Sequence, residues 1–172
     1  MKRFLFVCTA VIGLTFSSQA QKFCYVDVEY LLGKIPAYTE AQKQLDKYSQ
    51  DYQKEVDAKR KTVEDMYKSF QSEQVLMTEQ MKQQKIKEID NADKEVKELQ
   101  RARFGPNGDL FKKRQELIKP VQDRLYDEIQ KYAQAKAYDF VLDKSSGTGI
   151  LYSNEKHNKS DDILTNMGIS KK

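Results

Sequence analysis

Apolar residues in the middle of the chain recur at Ala41, Leu45, Tyr48, Tyr52, Val56, Val63, Met66 and Phe70, in steps of three, four and seven. That spacing draws one narrow stripe along a helix, the pattern of a coiled-coil seam. A second stripe runs through Met81, Ile86, Ile89, Val96 and Leu99. Residues 37–104 contain neither glycine nor proline, so no strong breaker interrupts a helix for 68 residues. As one rod they would reach about 100 Å, with a stripe that nothing covers. Between Phe70 and Met81 the register fails, because Val75, Leu76 and Met77 are consecutive and cannot share a face. The pattern predicts an antiparallel helical hairpin over 37–104, with its tip near residues 72–79. Its arms should be on the order of 50 Å long, and an uninterrupted rod is the alternative.

The ends carry a different pattern. The aromatic and β-branched run at 23–28 reads as a strand, and so does Asp139-Phe140-Val141-Leu142-Asp143. Ser145-Ser146-Gly147-Thr148-Gly149 then turns toward Ile150-Leu151-Tyr152, which predicts a β-hairpin. A lone strand at residue 23 would leave its backbone unpaired, so the two ends of the chain have to meet. Gly105-Pro106-Asn107-Gly108 stops one helix, and Asp109 is placed to cap the next. That return helix, roughly 110–137, contains Pro120 and should kink there. Ser160-Asp161-Asp162 offers caps to a last short helix, which Gly168 is placed to end. The fold class is α+β, mostly α: a long helical-hairpin arm on a small β body. In this division 21–36 holds the first strand and 105–172 the return helix, the β-hairpin and the C-terminal helix.

Residues 1–20 read as an export signal, with Lys2 and Arg3, an apolar run over 4–16, and Ser18-Gln19-Ala20 as a cleavage site. The apolar run would be about 20 Å as a helix, short of a bilayer core of roughly 30 Å. A retained anchor is the alternative. Cleavage after Ala20 leaves 28 basic against 26 acidic side chains and one cysteine, Cys24. Cys24 lies inside an apolar run and reads as a buried strand residue rather than a reactive or bridging thiol.

Composition narrows the chemistry. Charged residues are 33% and apolar ones 39%, with no tryptophan, which suits an extended helical assembly better than a compact enzyme. Eight Phe and ten Tyr exclude a chain that never folds. The single histidine, His157, lies in a polar loop, so no catalytic triad, metal site or cofactor is expected. Gly105–Gly108 lacks the Gly-Lys-Ser/Thr of a phosphate loop. Residues 37–104 carry 14 basic and 14 acidic side chains, which argues against a nucleic-acid partner or a membrane-surface helix. Methionine is concentrated at the expected tip. Met66, Met77 and Met81, with Tyr67, Phe70, Val75 and Leu76, form a candidate client-binding patch, since flexible thioethers adapt to varied apolar partners. Filling of the hairpin's own seam is the competing reading for Met66, Phe70 and Met81.

The export segment, Phe23-Cys24-Tyr25-Val26-Asp27, Ile35-Pro36-Ala37-Tyr38 leading into a charged helical hairpin, and the closing Tyr138–Asp143 strand come in a recognisable order. The chain resembles the Skp family of periplasmic chaperones, also called OmpH-like, over essentially everything after residue 20. The resemblance implies a homotrimer in which a small β body, completed by trimerisation, carries three arms around a cavity. There the family holds unfolded outer-membrane proteins, without ATP and without catalytic residues, in the periplasm. The near-neutral charge and the Gly105–Gly108 interruption depart from the family pattern, and the charge argues against contact with membrane or lipopolysaccharide. The same arms would also suit an envelope coiled-coil scaffold that binds one specific partner protein.

Overall fold

The computed structural model describes residues 21–147 and 149–169. The expected export signal, Thr148 of the expected turn and residues 170–172 lie outside them. Strand β1 is Phe23–Val26, followed by helix α1, Val28–Lys34, and helix α2, Pro36–Glu73. A short 3-10 turn, Gln74–Leu76, leads into α3, Glu79–Phe104. The chain returns through α4, Asp109–Leu117, and α5, Lys119–Ala135, to strand β2, Phe140–Asp143. A second 3-10 turn, Glu155–His157, precedes the last helix, α6, Ser160–Asn166.

β1 and β2 pair in parallel, Phe23 opposite Phe140 through Val26 opposite Asp143. Residues flanking the ladder extend it, with the Asp139 amide donating to the Lys22 carbonyl and the Lys144 amide to that of Val26. The other edge of β1 is covered by the segment before α6, where the Lys159 amide donates to the Tyr25 carbonyl at 2.9 Å. The strand ends at Val26, earlier than its composition suggests, because the Asp27 carboxylate accepts from the Tyr30 amide at 2.9 Å and caps α1. The expected β-hairpin does not form: Ile150, Leu151 and Tyr152 join no ladder. Instead, the Asp143 carboxylate takes the Ser145 amide and hydroxyl and Ser146 bonds the Asp143 carbonyl, while β2 pairs with β1.

The body's core gathers Val26, Leu31, Leu32 and Ile35 from the first segment, Leu125 and Tyr132 from α5, and Ile163 and Leu164 from α6. Ser160 is not the cap of α6 but its first residue. It is buried, accepts from the Asp27 amide at 2.9 Å and donates to the Asn158 side chain, so it joins both ends of the chain. Gly168, at φ +73°, closes α6 with its amide on Thr165 and the Ile169 amide on Leu164, a left-handed cap that glycine adopts without strain.

Pro36 sits at the start of α2, where it needs no amide partner and holds Ile35 extended. α2 then runs 38 residues without a break, about 57 Å. Its return is segmented. Gly108, not Asp109, caps α4, and Gly105 and Gly108 are required by close approach: a Cβ would lie 2.4 Å from the Arg101 carbonyl oxygen and 2.7 Å from that of Ala102. Because α4 packs against α2, the paired arm continues past residue 104 to Leu117. The second break falls at Ile118, two residues before the proline. Pro120 occupies the first turn of α5, and buried Ile118 packs on Ala41 and Leu45.

Arg103 ties the first break to the unbroken helix. Its guanidinium donates to both carboxylate oxygens of Glu55 at 3.0 and 3.1 Å, bonds Asp109 and lies over the Tyr52 ring at 4.7 Å. The Arg103 hydrogen bond holds the Asp109 carboxyl below its usual value of 3.8. A depressed carboxyl pKa stabilises the fold above the ordinary value and ceases to do so as the pH falls through the folded one. Asp109→Asn is therefore expected to lower the thermal midpoint at pH 7, with the gap to the parent closing on acidification through the carboxylate range. Melts followed by circular dichroism across that range check this.

Candidate functional site

At the far end of the arm, the Thr78 hydroxyl accepts from the Met81 amide and caps α3, while the Met77 amide bonds back to Gln74. This tight reversal points the turn's side chains outward. Val75 is 81% and Leu76 88% exposed, and no described part of the chain covers them. Tyr67 and Met81, at 53% and 51%, flank them on α2 and α3.

Met66, Phe70 and Met77 go elsewhere. They are half-buried and line a notch of about 280 Å³ between the two helices, with Ile89 and Lys85 opposite. The seven candidate residues therefore divide into an inward set of three and an outward set of four. Surface charge at this end is largely paired, Lys68 with Glu64 and Lys82 with Glu79. The Glu64–Lys68 hydrogen bond lowers the carboxyl pKa and raises that of the ammonium, so both stay charged. Such exposed pairs add little stability, and residues 61–85 carry four cationic and four anionic side chains.

A second apolar surface lies on the body, where sequence pattern had pointed only to strands. Phe23, Phe140 and Leu142 are exposed on one face of the sheet, and Leu151 and Tyr152 stand exposed beside it. The His157 ring stacks on Phe23 with centroids 5.2 Å apart, beside a hollow of about 280 Å³ that Ile150 and Tyr152 also line. The alternation of Phe140 and Leu142 was the signal for this face. A single buried strand does not reveal which side stays uncovered.

Cys24 is fully buried, and burial pushes its thiol pKa up, which suppresses the thiolate. Among the described residues no three His, Cys, Asp or Glu side chains gather where a metal would sit. No described helix is long and apolar enough to cross a membrane.

Comparison with known proteins addresses the whole architecture. The family model "Outer membrane protein (OmpH-like)" matches residues 22–167. A protein of Aquifex aeolicus, described only as uncharacterized, is 29% identical over 167 residues, which span 97% of this chain and 96% of that protein. A crystal structure from Caulobacter crescentus, described as OmpH-like, superposes with a TM-score of 0.67 at 14% identity. The superposition covers 89% of this chain and 87% of that one, and it establishes a shared fold.

Proposed function

The chain belongs to the OmpH-like family, and we propose that it is an ATP-independent periplasmic holdase that shields unfolded outer-membrane proteins from aggregation. The observation that carries this reading is the exposure of Val75 and Leu76 at the end of a stiff arm, flanked by Tyr67 and Met81. Each such side chain contributes roughly 1–2 kcal/mol when a partner covers it. One contact of that size holds nothing for long, but linked arms make the next contact intramolecular and add avidity. The inward set, Met66, Phe70 and Met77, serves the same surface by keeping the turn shaped.

Multiple arms require a self-associating body, and the reading here is a homotrimer built through the β regions. What supports it is the apolar sheet face of Phe23, Phe140 and Leu142, together with the outer edge of β2, which pairs with nothing among the described residues. Exposed edges and apolar faces of this kind are normally covered. Export through residues 1–20 is part of the same proposal.

Two measurements test it. Val75→Ser with Leu76→Ser should weaken retention of several unrelated unfolded membrane β-barrel proteins about tenfold or more, with the fold and the oligomer mass unchanged. Met77 is left in place because it packs in the notch. Moderate salt should alter affinity little, since screening acts on charge; steep salt dependence with no effect of the double change would show that charge holds the clients. Separately, replacing residues 58–99 by a short turn keeps the Glu55–Arg103 link and should preserve a three-chain mass in sedimentation, whereas Leu142→Glu should reduce it to one chain. A monomeric shortened arm would make the arm, not the body, the assembling element.

A further inference from the structure

Another apolar hollow lies neither at the tip nor on the sheet face. It is a cavity of about 470 Å³ at the root of the arm, walled by Ile35 and Pro36 where α1 meets α2, by Pro120 and Val121 at the start of α5, and by Met167 after α6. Arg124 stands at its rim. Three separate segments of the chain build it, and two of the walls are rigid pyrrolidine rings, so the hollow is largely preformed.

The chemistry of the lining is selective. Flat proline faces pack well against aromatic rings, and a thioether makes favourable contacts with a ring edge. The one charged residue on the rim is a cation; of the acids within four residues of it, Asp123 pairs with Lys119 and Glu128 with Lys131, while Asp127 forms no salt bridge among the described residues. Among the described residues Arg124 has no ion-pair partner of its own. Its planar fork of donors matches a carboxylate. We propose that this cavity binds the C-terminal residue of a polypeptide, an aromatic side chain in the hollow with its free α-carboxylate on Arg124.

This assignment rests on the reading of the protein as a polypeptide binder and gives that binder a second, chemically specific contact. The tip recognises apolar surface of any order. The root cavity recognises one end of one chain, so a client held at both places lies along the arm in a fixed direction. A fatty acid offers the same headgroup, but its flexible tail gains little from two flat rings, which favours the peptide terminus.

The test uses the whole protein and a fluorescent octapeptide ending in phenylalanine, as free acid and as C-terminal amide. Anisotropy should show the acid binding about tenfold or more tightly than the amide, the scale of one charge-assisted hydrogen bond. The methyl resonance of Met167 should shift with the acid. Arg124→Gln should abolish the preference for the acid, and Arg124→Lys should retain part of it, with unchanged thermal melts in both. Equal binding of acid and amide, or a preference that survives Arg124→Gln, would overturn the assignment. Displacement by dodecanoate without any Met167 response to the peptide would overturn it in favour of a lipid ligand. Aggregation suppression separates the two readings. If it persists without acid preference, only the cavity assignment fails; if it is absent while the preference stands, only the holdase reading fails.

Discussion

The pairing of β1 with β2 is the constraint on which the molecule depends. It joins residues 23–26 to 140–143 in parallel, so the whole arm is an excursion between two neighbouring strands. Closing so large a loop is entropically costly, but the cost rises only as the logarithm of length, about 0.6 kcal/mol per doubling. The body can therefore carry an arm of almost any length once its ends are fastened. Fastening is concentrated in a few groups: the ladder itself, Ser160 bonding the Asp27 amide, and the Lys22 amide donating to the Asp139 carboxylate at 2.6 Å. Tyr132 adds to them from α5, its buried hydroxyl donating to Asp162; that burial, with the acceptor beside it, pushes the phenol pKa up and keeps it protonated.

The arm is held by a different kind of interaction. Its buried seam is thin, with Ala41, Leu45 and Val56 on one helix and Ile89 and Val96 on the other. Much of its surface is charge paired with charge, some of it across the seam, as Lys59 with Glu95. A seam of this kind keeps two helices in register without needing a third layer. It also leaves the apolar side chains at the turn with nothing to pack on, because the two helices end there. Exposure at the tip and stiffness along the shaft have one origin.

The division into a mostly helical chain with a small sheet was legible because period and composition change together at the ends of the arm. What escaped was partner choice. Ile150, Leu151 and Tyr152 look like a strand locally, but whether they pair depends on where Asp143 sends the chain. Asp27 at the end of a β run is written the same whether it ends a strand or caps a helix. Met66 and Phe70 share a stripe with Tyr48 and Val56, yet their depth is set by how α3 sits across from α2. The root cavity was hidden for a stronger reason: its walls come from residues 35–37, from 120, 121 and 124, and from 167 and 169, and no periodicity links them.

The two faces of the arm are mechanically unlike. α2 is one unbroken helix, while the return beside it is jointed at Gly105–Gly108 and again at Ile118. At the first joint the turn already folds back onto the end of α3, since a Cβ on Gly108 would meet the Ala102 carbonyl oxygen at 2.7 Å. That close approach opposes closing the joint further, whereas opening it relieves the contact. A beam with an inextensible spine and a joint that only opens bends in one sense, with the spine on the inside of the curve. The arm is thus a one-way flexure: it yields toward α2, resists the opposite load, and Arg103 is the catch that has to slip first.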